Sequence, residues 1–401
     1  MHQGGAEAMT TPVPAELSDE ETRSSHMRPM ALPSPRGPLT TALIELLGAS
    51  RSGDAAADDA AANDSAADDA AAGDSAADDS AAADDTFDVT RAAERLATIA
   101  QGAVEASDDL LVDDDVQLAL FLMYELHYGG LEGVDDDWEW DPRLLWVRAD
   151  IEQAFEAALR ERVPQPLATR GVPEALFALT EDDGGPSLSA FVEREATADQ
   201  VREVLACRTI YTLKEADPHS WAIPRLRGRA KAALVEIQAD EYGGGRPDRM
   251  HASIFAKCLT AAGLDARYGA YADLVPATVY TSMNVMSFFG LHRRFRGAIA
   301  GHLAAYEMTS SLPCRAYANG LRRLGFDDDV TDYFDEHVEA DAVHEQVAAR
   351  DLAGSLAEDE PELVADILFG AAACLAIDGD LWGGVRQRLE AGESALREPL
   401  P

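Results

Sequence analysis

Apolar residues recur at helical spacing from Thr90 to the end of the chain, and this pattern restricts the fold more than any other feature of the sequence. In the stretch 116–127, Leu118, Phe121 and Leu122 occupy positions i, i+3 and i+4, which places them on one face of a helix. Alternating runs of strand length are scarce. We therefore predict one all-α domain of about 310 residues with around ten helices.

Glycine and proline divide this helical pattern into segments. Helices are predicted, with Thr90 as the cap of the first, over 91–101, 116–127, 143–163, 186–215, 222–242, 249–263, 275–308, 314–324, 329–353 and 361–393. Breaks are predicted at Gly129-Gly130, Asp141-Pro142, Gly184-Gly185-Pro186, Asp217-Pro218, Gly243-Gly244-Gly245 and Leu312-Pro313. The three consecutive glycines predict a tight turn between two antiparallel helices.

The first 86 residues differ in composition from the rest. Residues 54–85 repeat a decapeptide rich in alanine and serine, in which aspartate returns every ten residues. Since the repeat has no large apolar side chain, it has no face to bury. The preceding residues are rich in proline, and only Leu39–Leu47 could form a short helix there. We predict that residues 1–86 are disordered and that residues 87–401 form the helical domain.

The chain carries a net charge of −40, from 73 acidic and 33 basic residues. Residues 1–85 hold 17 acidic and 4 basic residues, so the remaining 316 residues still carry −27. Such a surface repels phosphate backbones and anionic lipid. We expect no nucleic acid and no membrane among the partners. An acidic tether that recruits a basic protein is an alternative role for the decapeptide repeat.

The cysteines and the apolar runs indicate a cytoplasmic protein. The four cysteines lie far apart without a CxxC pair, so neither a disulfide framework nor a zinc-knuckle spacing is present. The longest apolar run, Ile367–Ile377, has 11 residues, against roughly 20 needed to span a bilayer. We expect no signal peptide, because the residues after Met1 do not form a basic segment followed by an apolar one. The sequence leaves a homodimer open.

A pattern with metal-ligand chemistry lies in the helix predicted over 329–353. His337, Asp341 and His344 follow the spacing H-x3-D-x2-H, which keeps their side chains within about 60° of one another around a helix. Two imidazoles beside a carboxylate suit iron, manganese or zinc. The alternative is an acidic helix surface that happens to carry histidines.

Four further residues extend this pattern. Glu241 ends one predicted helix and His251 begins the next, so the glycine turn between them would let both face one interior. Their alternative roles are a solvated helix terminus and a capping histidine. Glu215 and Glu307 follow apolar helical stretches and would be surface carboxylates otherwise. Together the three histidines and four carboxylates match what two adjacent metal ions need. The E-x-x-H motif of ferritin-like diiron bundles is absent from the chain.

The order of these motifs resembles the haem-oxygenase-like diiron oxidases, also known as iron-containing redox enzymes. The resemblance covers roughly residues 90–395 and implies a haem-oxygenase-like helical bundle. By resemblance, Glu215, His251 and His344 hold one iron, and Glu241, His337 and Asp341 hold the other. Glu307 is similar to the additional carboxylate of some family members. We assign Glu125 and His127 to a hydrogen-bonded pair at a helix end.

The resemblance implies a non-haem diiron oxidase or oxygenase with two Fe(II) ions per chain and O2 as co-substrate. Its substrate would be a small organic molecule, similar to an amino acid or a fatty acid. We expect the pocket to be lined from the helices that bear Val338, Phe334 and Tyr242 and from the stretch 279–289, unless the aromatic and methionine side chains of that stretch are plain core. A non-catalytic metal-binding or interaction protein of the same fold is the alternative function.

Overall fold

The computed structural model describes residues 28–49, 88–164, 171–181 and 187–400, apart from the side chains of residues 339–342. Its helices are α1 (Pro38–Leu47), α2 (Val89–Ala106), α3 (Asp114–Glu125), α4 (Pro142–Arg162), α5 (Val172–Leu179), α6 (Leu188–Arg194), α7 (Ala198–Thr212), α8 (Asp217–Ser220), α9 (Gly228–Glu241), α10 (His251–Ala261), α11 (Ala277–Leu291), α12 (Arg296–Leu324), α13 (Asp328–Gln346), α14 (Ser355–Asp359) and α15 (Val364–Glu390). A π-helical segment, Val347–Gly354, joins α13 to α14. The described residues contain no strand, which confirms the predicted all-α fold.

Acidic side chains fix where several helices begin. Asp88, Asp113 and Asp141 precede α2, α3 and α4, and each carboxylate accepts a hydrogen bond from a backbone N–H of the first turn. These groups satisfy donors that have no partner within the helix. The predicted starts are therefore shifted by one or two residues; the cap of α2 is Asp88 and not Thr90.

The predicted break at Leu312-Pro313 is wrong. α12 continues from Arg296 to Leu324 with Pro313 inside it. Proline in a helix interior removes one backbone hydrogen bond and costs about 3 kcal/mol. Buried side chains on both sides of it, including Glu307, Cys314 and Tyr317, hold α12 against its neighbours. The packing of these side chains therefore offsets the free-energy cost of the proline.

The prediction of disorder for residues 1–86 is also wrong for residues 28–49. There α1 buries Leu39, Leu43, Leu46 and Leu47 in the main core. Asp115 of α3 accepts hydrogen bonds from the backbone N–H groups of Leu39 and Thr40, both 2.8 Å long. A partner distant in sequence thus caps α1. The decapeptide repeat lies outside the described residues.

The centre of the bundle is formed by α12, which packs along α13 on one side and α15 on the other. At the crossing of α12 and α15, a Cβ on Gly301 would collide with the backbone of Ile367, and a Cβ on Gly370 with that of Ala298. Only glycine permits this close approach. α10 packs against α13, and α9 packs against the π-helical segment. This arrangement turns α9, α10, α12 and α13 toward one interior. Within the described residues, no helix is both long and apolar enough to cross a bilayer.

Candidate metal centre

Six of the seven predicted ligands come together as buried side chains inside the bundle. They are Glu215, Glu241, His251, Glu307, His337 and His344. None of the six is more than 8% exposed. Carboxylates are buried to this degree only when opposite charges or hydrogen bonds compensate for the lost hydration. Asp341 lies on α13, one turn after His337, and its side chain is outside the described part of the structure.

The glycine turn joins Glu241 and His251 as predicted. Gly243, Gly244 and Gly245 have φ angles of 65°, 60° and 80°, in the left-handed region that favours glycine. A Cβ on Gly243 would lie 2.5 Å from the backbone carbon of Arg249, so the turn is also too tight for a side chain. It brings His251 Nδ1 to 2.9 Å from Glu241 Oε2.

Burial alone would lower the pKa of His251, but Glu241 outweighs this effect and raises it. The two facing atoms nonetheless lack hydrogen-bond partners among the described residues, because their approach has the wrong angles for a hydrogen bond. A buried nitrogen and a buried oxygen are thus aimed at one region without satisfying each other.

The backbone of α13 holds the Nδ1 atom of His337 in place. Its Nδ1 donates to the carbonyl of Tyr333 at 2.7 Å, which leaves Nε2 directed at Glu215 Oε1, 3.6 Å away. The Tyr333 hydroxyl donates to Glu215 at 2.9 Å. Burial would lower the pKa of His337, yet Glu215 raises it well above the ordinary value. Burial would likewise raise the pKa of Glu215, and His337 holds it below its usual range.

His344 lies two helical turns further along α13 and has different partners. Its Nε2 donates to Asp240 Oδ2 at 3.0 Å, and its Nδ1 lies 3.3 Å from Glu307 Oε2. Burial would lower the pKa of His344, but Glu307 raises it to about 9. Burial raises the pKa of Glu307.

The six side chains form two groups that share Glu241. In each group, one ligand atom from every residue lies within 4.8 Å of the others. The first group comprises Glu215, Glu241, His251 and His337, and the second comprises Glu241, Glu307 and His344. The resemblance instead placed His251 with His344. The structure separates these two because the His251 ring packs on His337, with centroids 4.4 Å apart.

The donor set fits two divalent first-row metal ions. Imidazole nitrogens and carboxylate oxygens suit iron, manganese and zinc, and a carboxylate can bridge two cations. The carboxylates that raise the pKa of His251, His337 and His344 favour protons on these imidazoles. Divalent cations would replace these protons, since histidine binds a metal only when its ligating nitrogen is deprotonated.

A cavity of about 400 Å³ opens beside Glu215 and His337. Its wall comes mainly from α7, α12 and α15. Of the predicted helices, α13 contributes Tyr333 and His337, and the stretch 279–289 contributes Val279 and Ser282. The helix that ends before Tyr242 contributes no lining residue. Phe288 and Phe289 are core side chains that pack on Phe295. The pocket prediction is therefore right for α13 and for two residues of the stretch 279–289 and wrong for the helix before Tyr242, and the core alternative holds for these aromatics.

The cavity also contains three of the four cysteines, Cys207, Cys314 and Cys374. All four cysteines are buried free thiols, in agreement with the lack of a disulfide framework in the sequence. Burial raises the pKa of Cys207 and of Cys258 to about 12, so neither is a thiolate at neutral pH.

Several residues around the centre were missed. Tyr333 precedes His337 by one turn, a spacing that could have identified it. Glu125 was assigned to a pair with His127, but it forms a buried ion pair with Lys214, the residue before Glu215. His127 instead contacts Glu139 at 3.1 Å. The partner of Glu125 is 89 residues away, so no local signal could have predicted it.

Comparison with known proteins agrees with this geometry. The chain is 28% identical over 162 residues to the nitrosourea synthase of Streptomyces achromogenes subsp. streptozoticus. The match covers 39% of this chain and 34% of that relative, so the chain spans about a third of the relative's length. Residues 202–379, which contain all seven predicted ligands, match the family described as iron-containing redox enzymes. In this region the chain is similar to the iron-containing redox enzyme family, and the buried histidine and carboxylate cluster agrees with that similarity.

Proposed function

We propose that this protein is a non-haem diiron oxidase or oxygenase that activates O2 and oxidises a small organic molecule. The observation that carries the proposal is the position of Glu241, whose carboxylate belongs to both ligand groups. A shared carboxylate is what two adjacent metal ions require. The family match supports iron as the metal.

Hydrogen bonds within the protein orient the side chains at both proposed metal positions. His337 donates from Nδ1 to a backbone carbonyl, and His344 donates from Nε2 to Asp240. These hydrogen bonds fix each ring and direct its other nitrogen toward the carboxylates, as outer partners do in metal sites. Tyr333 orients Glu215 by donating to it. Bound Fe(II) would supply electrons for the reduction of O2.

The cavity provides a place for the substrate. Glu215 and His337 belong both to its wall and to the first ligand group, so a molecule in the cavity would lie next to the metal position. Burial of the six ligands excludes bulk water from the centre. We therefore propose that the binding partner is a small-molecule substrate similar to an amino acid or a fatty acid.

The test is an anaerobic Fe(II) titration of the full chain, followed by exposure to O2. We expect about two Fe(II) per chain and consumption of O2 by the loaded protein. Glu241→Gln should reduce both bound iron and O2 consumption, because it removes a charge from both groups. A protein that binds metal without consuming O2, with or without candidate substrates, would instead be the non-catalytic metal-binding protein.

Glu236→Gln is the matched control. Glu236 is exposed on the same helix, and the substitution removes the same charge. It should leave iron stoichiometry and O2 consumption unchanged. Iron binding that survives Glu241→Gln at full stoichiometry would contradict a shared carboxylate. Far-UV circular dichroism of each variant establishes that a loss of iron is not a loss of fold.

A further inference from the structure

Among the six clustered ligands, only Glu215 lies outside a helix. α7 ends at Thr212 and α8 begins at Asp217, so Glu215 occupies the turn between them. Its backbone N–H donates to the carbonyl of Thr212 at 3.4 Å, which is long for a backbone hydrogen bond. The other five ligands belong to α9, α10, α12 and α13. The position of Glu215 therefore depends on what holds the residues on either side of it.

The residue before Glu215 is anchored to α3. Lys214 Nζ forms an ion pair with Glu125 Oε2, and neither residue is more than 7% exposed. The ring centroids of Tyr128 and Tyr268 lie 4.1 Å and 5.0 Å from Nζ, within the range of a cation–π interaction. The Tyr268 hydroxyl also donates to Glu125 Oε2 at 3.0 Å. The ammonium group of Lys214 thus has one defined place against α3.

The segment after the turn is anchored to α9. Gln238 is buried, and its Nε2 donates to the carbonyl of Ala216 at 2.9 Å. The hydroxyl of Tyr242, the residue that follows α9, donates to Asp217 Oδ1 at 2.7 Å. Gln238 and Tyr242 lie on either side of Glu241 in the sequence, so this anchor fixes the turn relative to the shared carboxylate. Only the ion pair with α3 holds the other side of the turn by a side chain of the turn itself.

Stability alone does not account for this ion pair. Removing two charges from water costs about as much free energy as their attraction returns, so an uncharged pair of similar volume is often as stable. Burial raises the pKa of Glu125 and lowers that of Lys214, although each charge opposes this effect on the other. Glu125 Oε1 is buried without a hydrogen-bond partner among the described residues. The attraction therefore does not fully compensate the lost hydration, and the pair defines a position more than it stabilises the fold.

We propose that Glu125 and Lys214 are a positioning pair, which holds Glu215 in the first ligand group through the backbone of the turn. The inference rests on the proposed function, because it takes Glu215 as a metal ligand. Glu125 lies outside residues 202–379, so the amino-terminal helices contribute to the metal centre without supplying a ligand. Loss of an outer partner typically lowers metal affinity ~10-fold to 100-fold.

The test is anaerobic competition for Fe(II) between the full chain and a chelator of known affinity. The double variant Glu125→Gln/Lys214→Met removes both charges at similar volume. It should bind one of the two Fe(II) equivalents ~10-fold or more weakly, with a stability in urea close to the parent's. Glu125→Gln alone leaves the Lys214 charge buried without its partner, so it should be less stable than the double variant. Affinity and stability would then not change together.

A double-mutant cycle with Glu215→Gln distinguishes positioning from general support of the fold. Glu215→Gln removes the charge of the ligand itself and should weaken the same Fe(II) equivalent. In the Glu215→Gln background, the changes at Glu125 and Lys214 should cause no further loss of affinity, because residues that act through one another do not have additive effects. Additive losses would mean that the pair supports the fold and would overturn the inference.

Glu152→Gln is the matched control for the loss of a buried carboxylate. Glu152 is buried on α4, where it pairs with Arg148 at 3.2 Å and with His292 at 2.9 Å. Neither partner is next to a clustered ligand in the sequence. This variant should keep the parent's affinity for both Fe(II) equivalents. A loss equal to that of Glu125→Gln would assign the effect to destabilisation and overturn the inference.

Tyr268→Phe covers the case in which the double variant fails to fold. It removes only the hydroxyl that donates to Glu125, and it should weaken the same Fe(II) equivalent a few-fold. Unchanged affinity in the double variant, or in Tyr268→Phe where only that variant folds, overturns this inference alone when the parent takes up two Fe(II) and consumes O2. A parent that takes up no Fe(II) overturns the proposed function, and this inference with it.

Discussion

His337 and His344 show what a short motif predicts and what it does not. Seven residues on a helix keep both imidazoles on one face, so the sequence predicts that both point inward. The same seven residues separate them by about 10 Å along the helix axis. Which carboxylates each ring meets depends on how α9, α10 and α12 pack around α13. The ligand types were therefore predictable, whereas their grouping was not.

Tyr333 supports the first ligand group from outside it. Its hydroxyl donates to Glu215 at 2.9 Å, and its backbone carbonyl accepts from His337. Tyr333→Phe removes the hydroxyl and keeps the carbonyl. Because loss of such an outer partner lowers metal affinity ~10-fold to 100-fold, we expect weaker Fe(II) binding by about that factor. Competition with a chelator of known affinity measures it.

Tyr271→Phe is the control for this substitution. Tyr271 is buried, and its hydroxyl accepts from the backbone N–H of Asp265 at 2.7 Å. It contacts none of the six clustered ligands. This variant also loses the hydroxyl group of a buried tyrosine and its hydrogen bond, and it should keep the parent's Fe(II) affinity. Equal affinities in Tyr333→Phe and the parent would mean that Glu215 needs no support from the hydroxyl.

His219 gives a pH dependence of stability that is separate from metal binding. It is fully buried, and its Nε2 lies 3.2 Å from His302 Nδ1. Burial lowers the pKa of His219 to about 3. Between pH 3 and 6.5 the unfolded chain therefore binds a proton at this residue that the folded chain does not bind. The contribution to stability is complete above pH 6.5 and is lost as the pH falls.

We expect His219 to account for about 1 kcal/mol of the stability lost between pH 7 and pH 5.5. His219→Gln should reduce that loss by this amount, as measured by urea denaturation at each pH. Between pH 7 and pH 8 the stability difference between parent and variant should stay constant. A parallel decline of both proteins below pH 6.5 would mean that His219 becomes protonated within the fold.

Helix existence was easier to predict from the sequence than helix limits. The periodic stretch 143–163 matches α4 within one residue at each end. The segment that contains Pro313 was misjudged, because the packing of α12 on α13 and α15 overrides the preference of one residue. The short helix considered at Leu39–Leu47 is α1, but its place in the folded domain was missed for a related reason. Its apolar residues are few, and the groups that cap and cover it come from α2 and α3.

Leu43 tests the contribution of α1 to the fold. It is fully buried in the main core, where α1 packs on α2 and α3. Leu43→Ala should lower the free energy of unfolding by about 2–5 kcal/mol, the range for a leucine that leaves a cavity. Glu45→Ala, on the exposed face of the same helix, should change it by less than about 1 kcal/mol. Equal effects, measured by chemical denaturation, would place α1 outside the cooperative unit.

At the scale of the whole molecule, the candidate metal centre and the amino-terminal helices come from separate parts of the sequence. The six clustered ligands all lie within residues 202–379, whereas α1 to α4 lie outside that range. α3 packs on α11 and pairs through Glu125 with Lys214, next to Glu215. Contacts of this kind connect residues far apart in sequence. A single sequence therefore predicts which residues form the candidate centre better than it predicts which distant residues pack around them.

The net charge of −40 affects the molecule as a whole. Like charges at the surface repel one another and destabilise the compact state. Salt shortens the range of this repulsion, from roughly 30 Å at 0.01 M to roughly 3 Å at 1 M. We therefore expect the melting temperature to rise between 0.01 M and 1 M NaCl, and KCl to give the same rise. A melting temperature that falls with chloride concentration would contradict self-repulsion.

Asp332 localises this repulsion on α13. The residue is exposed, but the small part of it that is buried loses some hydration, and this raises its pKa. The neighbours Asp329, Asp328 and Asp335 raise the pKa further, because each nearby carboxylate disfavours another negative charge. Asp332→Asn should stabilise the protein by a few tenths of a kcal/mol, as for other exposed charges, at 0.01 M NaCl. At 1 M NaCl the gain should disappear, because the repulsion it relieves is already screened. Glu236→Gln removes the same charge on a different helix, and should give a smaller gain at low salt. Thermal denaturation of the parent and the two variants at both salt concentrations measures these changes in stability. If the stabilisation by Asp332→Asn persists at 1 M NaCl, its cause is the local helix preference of the new residue and not the removed charge.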